Sequence, residues 1–197
     1  MYSLTIFKSI YDNQTDMSLK FQTYDEVEEM LYHCSTLPGY KPTKEQRFHP
    51  NASPLLSPAN YISGTTRANK NVTHWTPLAL IDVDDYVNGF DNALQTFSNY
   101  KFTCYSSASS TKEKPKFRVV LPLSRQIDHD DIRHFWYSLN KEFNSLNDPQ
   151  TKDLSRMYYV PAKYPNAYNF IISNKSCPVL EIGRAHVWTP VTQWYLV

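Results

Sequence analysis

The chain has 197 residues, 41% of them hydrophobic, and a formal net charge of +1. This length and composition are typical of one globular domain with its own core and exclude a disordered chain. No apolar run approaches the ~20 residues of a membrane span, and the near-neutral charge means that any nucleic-acid binding must come from local basic patches. Cys34, Cys104 and Cys177 are too few and too far apart for a disulfide framework or a zinc site, so a cytoplasmic protein is expected.

The first part of the chain is predicted to contain two elements and a long connection. Residues 3–7 favour a strand. Thr23 and Glu26 form a capping-box pattern, which predicts a short helix that ends near His33. Residues 37–60 contain five prolines. Proline can neither donate to a strand ladder nor continue a helix, so this stretch is predicted to be an ordered loop or an irregular connection.

The strongest strand signal is the run at residues 78–83, which is almost entirely apolar and predicts a central strand buried on both faces. Strands on either side of the polar loop at 106–116 predict a hairpin. The other predicted elements are a helix from Phe90 to about Phe97, strands at 100–105 and 117–121, a helix from Asp130 or Asp131 to about Phe143, and short strands at 157–160 and 169–172. The predicted fold class is α+β, around one sheet.

Two carboxylates, Asp82 and Asp84, end this apolar run. Side chains alternate along a strand, so residues two apart share a face, with Cα atoms about 6.5–7 Å apart. Both carboxylates can therefore converge on one or two hard cations such as Mg²⁺, which hold the attacking and leaving oxygens of a phosphoryl transfer. The alternative is that the strand simply runs into a solvated turn at residues 84–89.

The hairpin loop at residues 106–118 combines hydroxyl and basic side chains. Serine and threonine donate hydrogen bonds to phosphates and lysine and arginine neutralise their charge, so the loop suits a triphosphate. Lys116 and Arg118 are two residues apart and share one face of the second strand. The alternative interpretation is a solvated basic turn.

A third segment, from Asp148 to Pro161, places an acid, a lysine and an arginine close together. Such a set can supply a third metal ligand and phosphate contacts, or it can form a surface loop of salt bridges. The presence of all three segments in this order favours the functional interpretation.

This order of segments resembles the archaeo-eukaryotic primase superfamily, and more narrowly the primase-polymerases of phages and mobile plasmids. The resemblance covers roughly residues 1–180, and its most specific pieces are residues 57–61, 64–72, 114–118 and 151–156. It implies a primase-type catalytic core with a mixed or antiparallel RNA-recognition-like sheet flanked by helices. It also implies a nucleotidyltransferase that uses Mg²⁺ or Mn²⁺ and nucleoside triphosphates on a single-stranded DNA template in the host cytoplasm, with a replicative helicase as a further partner.

The resemblance also implies roles for individual residues. Asp82 and Asp84 correspond to the first catalytic metal ligands and Asp148 to the third, with Asp153 as a competitor that is less favoured because Asp148 begins the motif. The implied nucleotide-binding residues are Ser107, Ser109, Ser110, Lys114, Lys116, Arg118, Lys152 and Arg156.

One departure from the family pattern concerns the second motif. Many members carry a histidine there, in an S-x-H pattern, whereas residues 107–110 contain none. Ser110 is then expected to contact a phosphate more weakly, with Lys114 or Lys116 supplying the positive charge.

Arg67, Lys70 and Asn71 precede the catalytic strand and have two interpretations. Either they contact the template or a phosphate, or Arg67 and Asn71, together with Tyr61, fasten the long loop to the sheet.

Residues 181–197 do not continue the family pattern. Residues 181–192 look like the translation of a sequencing-library adapter with a stop codon read as Trp188, so His186 is not considered a site residue. We therefore expect residues 1–180 to form the native part, truncated at its end, and the natural protein to continue into further domains.

Two other functions are compatible with a D-x-D after an apolar strand. In a HAD-type phosphatase the first aspartate is the nucleophile and the second the general acid, but that fold needs parallel βα units, and the hairpin and the 4 glycines argue against it. The other alternative is a non-catalytic primase relative that binds single-stranded nucleic acid. Convergence of Asp82, Asp84 and Asp148 on one point would favour the enzyme.

Overall fold

The computed structural model describes residues 1–46 and 49–183. Single 3-10 turns lie at Asn69–Asn71, His129–Asp131 and Pro149–Lys152. The helices and strands, in chain order, are β1 (Tyr2–Phe7), β2 (Ser18–Phe21), α1 (Tyr24–Thr36), β3 (Leu55–Ser57), β4 (Ala59–Tyr61), β5 (Val72–Trp75), β6 (Leu78–Val83), α2 (Phe90–Gln95), β7 (Phe102–Ser106), β8 (Phe117–Pro122), β9 (Ile127–Asp128), α3 (Ile132–Glu142), β10 (Tyr158–Tyr159) and β11 (Ile171–Asn174).

The described strands form three sheets, with the orders β10-β3-β1-β2, β11-β7-β8-β6 and β4-β5-β9. Every neighbouring pair in these sheets is antiparallel. The predicted α+β class is confirmed, and the β7–β8 hairpin forms as predicted. The sequence suggested one sheet because β2, β3, β4, β5 and β9 are too short to show a period. The antiparallel pairing does not fit the parallel βα units of the phosphatase alternative.

The sheet that contains β6 has a hydrophobic core on each face. Ala79 and Ile81 belong to the cluster that includes residues of α2 and α3, whereas Leu78 and Leu80 belong to the cluster that includes residues of α1. This explains why the run is apolar at every position and buried throughout. β6 nevertheless lies at the edge of its sheet, not at the centre as predicted, with β8 as its strand partner.

The two longer helices follow their sequence signals. Thr23 Oγ1 accepts a hydrogen bond from the backbone N–H of Glu26, as the capping pattern predicts, and α1 continues to Thr36. α3 begins at Ile132 after a 3-10 turn, with Asp131 at the N-cap position but without a capping hydrogen bond from its side chain. Across residues 1–46 and 49–183, none of the helices is long and apolar enough to cross a membrane.

The beginning of the predicted non-native tail is described and packs on the domain. Ile182 is buried, and its N–H donates to Ser124 Oγ at 2.9 Å. Residues 184–197, with His186 and Trp188, lie outside the described residues. The assignment of residues 181–197 as non-native stays a prediction.

Candidate active site

Three carboxylates meet at the end of β6. Asp82 is the second-last residue of β6, and Asp84 comes directly after the strand. Asp148 precedes the 3-10 turn at Pro149–Lys152. One oxygen from each of these three side chains lies within 4.8 Å of the others. Asp82 is buried and the other two are half-buried. The structure thus brings together the three acids that were predicted from the sequence as metal ligands. Asp153 is exposed and lies outside this group.

Asp82 faces a buried cation across the sheet. It pairs in register with Arg118 of β8, and the Arg118 Nε lies 3.0 Å from Asp82 Oδ1. Burial by itself would lower the pKa of the Arg118 guanidinium, but the charge of Asp82 and the neighbouring Tyr105 raise it above its ordinary value. Arg118 Nη1 also donates to the carbonyl oxygen of Tyr159 at 3.4 Å. Arg118 is therefore paired with Asp82 in the structure, whereas the sequence analysis predicted that it binds the nucleotide.

Asp82 Oδ1 lies beside the Arg118 guanidinium but accepts no hydrogen bond from the described residues. Although Arg118 Nε and Asp82 Oδ1 are close, they are not aligned as a hydrogen bond, and both atoms are buried without a hydrogen-bond partner in the described part of the chain. The charge of Arg118 offsets part of the cost of burying this carboxylate, and its oxygen keeps an unused hydrogen-bonding capacity. The hard oxygen donors of the three acids are those that Mg²⁺ or Mn²⁺ prefers, so this site fits a divalent ion.

The turn after β6 is joined to the hairpin by three contacts. Lys116 Nζ lies 3.5 Å from Asp84 Oδ1, Lys114 forms an ion pair with Asp85, and the Tyr86 hydroxyl donates to the carbonyl of Pro115 at 2.7 Å. The two lysines were predicted to bind the triphosphate, but in the structure their side chains contact the acids of this turn. The hairpin therefore positions Asp84.

The hairpin serines have different surroundings. Ser107 and Ser109 line the cleft beside the acids, with their hydroxyl oxygens 3.3 Å apart. Ser110 is buried instead, and its Oγ accepts a hydrogen bond from the backbone N–H of Lys116 at 3.1 Å. Ser110 thus closes the hairpin and is not part of the lining of the cleft, and its expected contact with a phosphate stays a prediction.

The acids form one side of a cleft of about 390 Å³ whose other lining includes several cations. Lys41, Arg67 and Arg156 line it, and none of these three has an ion-pair partner within the described ranges. The combination of three acids and three unpaired cations suits a ligand that carries a metal ion and several negative charges. Lys41 was missed from the sequence because it comes from the proline-rich loop and belongs to no motif.

The backbone on either side of Arg156 is held by other parts of the domain. Ser57 Oγ donates to the carbonyl of Arg156 at 2.6 Å, and Asn69 Oδ1 accepts from the N–H and the hydroxyl of Ser155 at 3.1 and 2.8 Å. The side chain of Lys152, which the sequence grouped with Arg156, is exposed and does not line the cleft. Asn69 was missed from the sequence, since its partner lies 86 residues away.

The residues before β6 separate into two groups. Arg67 lines the cleft, and its Nε is buried without a hydrogen-bond partner among the residues that are described. Lys70 lines a separate surface pocket with Arg133, and Asn71 Nδ2 donates to the carbonyl of Thr66 at 2.7 Å. Asn71 therefore fastens the loop, whereas Arg67 is placed to contact a ligand.

Unsatisfied hydrogen-bonding capacity is concentrated at this cleft. The buried side-chain atoms without a partner, within residues 1–46 and 49–183, are Tyr61 Oη, Arg67 Nε, Asp82 Oδ1, Arg118 Nε and Asn147 Nδ2. Three of these residues line the cleft, and Asn147 is hydrogen-bonded to the backbone of Asp82. Burial raises the pKa of Tyr61, beside Arg67, to about 12. Because buried polar atoms are nearly always satisfied in folded proteins, this concentration indicates a site for a polar ligand.

The chain is similar to a described protein family and to a solved structure. Residues 59–195 match the sequence model of the family described as VapE N-terminal domain. No curated protein sequence is significantly similar to the chain. Among solved structures, the AEP domain (PP-N190) of the Cyanophage S-2L Primase-Polymerase (PrimPol) is similar over 91% of this chain and 84% of that chain, with a TM-score of 0.48 and 9% sequence identity. That degree of similarity is too low to transfer a function.

Proposed function

The chain belongs to the VapE N-terminal domain family, and from this premise we propose that it is a DNA primase-polymerase of the phage type that its sequence resembles. In this proposal it is a nucleotidyltransferase of a phage or mobile-element replication system that extends or starts chains on single-stranded DNA. The observation that carries the proposal is the convergence of Asp82, Asp84 and Asp148 within 4.8 Å in one cleft with unpaired cations.

The acids and the cations have different tasks in the proposed reaction. Asp82, Asp84 and Asp148 hold the divalent ion, and Mg²⁺ or Mn²⁺ bound there supplies Lewis-acid stabilisation of the transferring phosphoryl group. Arg67 and Arg156 neutralise the oxygens of the triphosphate, since neither has a carboxylate partner of its own in the described part of the chain.

The remaining lining suits the less charged parts of a nucleotide. Ser107 and Ser109 offer hydroxyl donors, and Leu55, Met157 and Tyr159 provide an apolar surface at which a base or a sugar can pack. Single-stranded DNA, nucleoside triphosphates and a replicative helicase, on the same or another chain, are the partners in this proposal.

The test is incorporation of labelled nucleotides on primed and unprimed single-stranded DNA, with Mg²⁺ or Mn²⁺. We expect Asp84→Asn and Asp148→Asn to lower the rate at least about 100-fold, because charge stabilisation in the transition state is usually the largest catalytic term. Asp153→Asn is the matched control, since Asp153 lines the same cleft but lies outside the group of three. Activity of the Asp84 and Asp148 variants equal to that of the control would contradict the proposal.

A second candidate, a non-catalytic protein that binds single strands, is favoured by one observation. Two of the three acids already face cations of the chain, Asp82 with Arg118 and Asp84 with Lys116. Such a protein would bind single-stranded DNA with an affinity that falls as salt rises and would incorporate no nucleotide with either metal. The same incorporation assay on the wild-type chain therefore separates the two candidates.

A further inference from the structure

At Asp82, the free edge of β6 is hydrogen-bonded by a side chain, that of Asn147. An edge strand presents N–H and C=O groups that no neighbouring strand satisfies. At Asp82 both groups are satisfied by one short segment, because the Asp82 N–H donates to Asn147 Oδ1 at 3.1 Å and the Asp148 N–H donates to the carbonyl oxygen of Asp82 at 2.9 Å. The Asn147 amide oxygen thus takes the place of a strand carbonyl, and the third acid is the next residue.

Asn147 is itself fixed from the side of α3. Its side chain is buried, and its backbone N–H donates to Asn140 Oδ1 at 3.2 Å. The Thr151 hydroxyl lies 2.9 Å from Asn147 Oδ1 and 2.6 Å from the carbonyl oxygen of Asp148, and it can donate its one hydrogen to either. Trp136 Nε1 in turn donates to Thr151 Oγ1 at 3.2 Å. These contacts connect α3 to the acids.

The orientation of the Asn147 amide follows from its neighbours. The backbone N–H of Asp82 is a donor, so the amide must present its oxygen to it. The other end, Nδ2, is then buried without a partner among the described residues, which is unfavourable for the folded state. An apolar residue would avoid that cost, so a buried asparagine here is explained by the need for its oxygen.

We propose that Asn147 is a positioning residue for the metal site. Its oxygen fixes the register of Asp148 against Asp82, which brings the third carboxylate to the other two and raises the affinity for a divalent ion. Asn147 is not itself among the three acids that hold the ion. The inference rests on the proposed metal-dependent function, because it assigns a residue to the same site.

The experiment is a calorimetric titration of Mn²⁺ into the full chain, without nucleotide or DNA, with thermal unfolding in EDTA measured in parallel. Asn147→Leu keeps the branched shape and the number of side-chain heavy atoms, with somewhat larger terminal groups, but removes the oxygen. It should weaken Mn²⁺ binding about 10-fold or more, as for other residues that support metal ligands. The matched control is Asn174→Leu, which loses two hydrogen bonds, from Nδ2 to the carbonyls of Ser98 and Tyr100, outside the cleft. That control should be less stable in EDTA but bind Mn²⁺ as the wild type does.

A milder variant covers the case in which Asn147→Leu does not fold. Asn147→Ser is smaller and polar, and its hydroxyl is too short to reach the Asp82 N–H, so it should show the same loss of Mn²⁺ affinity. Wild-type affinity in either Asn147 variant would overturn the inference, and so would an equal loss in Asn174→Leu, because the effect would then follow stability alone. A wild-type chain that binds no Mn²⁺ would overturn the proposed metal site and this inference with it.

Discussion

Asp82 and Asp84 lie two residues apart but have different roles in the folded state. Asp82 is buried and is the counterion of Arg118, whose guanidinium has no other carboxylate partner among the described residues. Asp84 is half-buried and faces Lys116 at 3.5 Å, a pair that water screens. Asp82 is therefore a structural residue as well as a candidate metal ligand. Asp84 has only a weak, partly exposed ion pair, so it can bind a metal ion at little cost to stability.

The stability of two variants tests this difference. Asp82→Asn leaves a buried guanidinium without its counterion and should lower the free energy of unfolding by about 3 kcal/mol, the low end for a broken buried ion pair. Asp84→Asn should change it by less than about 1 kcal/mol, as expected for a partly exposed pair. Urea denaturation in EDTA measures both. Equal destabilisation of the two variants would show that the Arg118 pair is not what holds Asp82.

At the scale of elements, α1 is attached to the sheet through a buried hydroxyl. The Tyr24 hydroxyl lies 2.9 Å from the carbonyl oxygen of Val120 and 3.0 Å from Thr103 Oγ1. Burial raises the pKa of this phenol above its ordinary value, so the group stays neutral and can donate. Tyr24 does not line the cleft, so its contribution is to the packing of α1 on β7 and β8.

Tyr24→Phe should therefore lower stability without affecting the metal site. The expected loss in the free energy of unfolding is about 1 kcal/mol, because a buried hydrogen bond is removed. Tyr32→Phe on the same helix is the matched control, since its hydroxyl makes an exposed contact with Ser173 and its loss should cost little. Chemical denaturation measures the stability and the Mn²⁺ titration measures the site. A loss of Mn²⁺ affinity in Tyr24→Phe would contradict this separation.

Which elements could be predicted depended on how local their signals are. β6, β8, α1 and α3 are predicted because apolar spacing and caps lie within a few neighbouring residues. β3 and β4 lie in the proline-rich stretch and have three residues each, so their pairing with β1 and β5 has no periodic signal.

The residues of the candidate site likewise differ in whether they could be predicted from the sequence. Asp82 and Asp84 are evident from the sequence because the strand that carries them is strongly apolar. Asn147 and Lys41 are not, because their role depends on loops that reach the cleft from distant parts of the chain. The burial of Ser110 could not be predicted, because a serine in a polar hairpin looks the same in the sequence whether it faces a ligand or closes the turn.

At the scale of the whole molecule, one cleft is lined by segments that lie far apart in the chain. Its lining comes from the loop after β1, the proline-rich loop, the end of β6, the hairpin and the segment before β10. Antiparallel sheets with a core on each side of β6 hold these loops in place. We therefore propose that the fold assembles a divalent metal site beside a site for a triphosphate.

The most direct measurement is anomalous diffraction from crystals of the chain grown with Mn²⁺ and a non-hydrolysable nucleoside triphosphate. We expect a manganese peak among the carboxylates of Asp82, Asp84 and Asp148, with the triphosphate extending toward Arg67 and Arg156. Crystals that bind the nucleotide elsewhere, or that show no manganese at these three acids, would contradict this proposal.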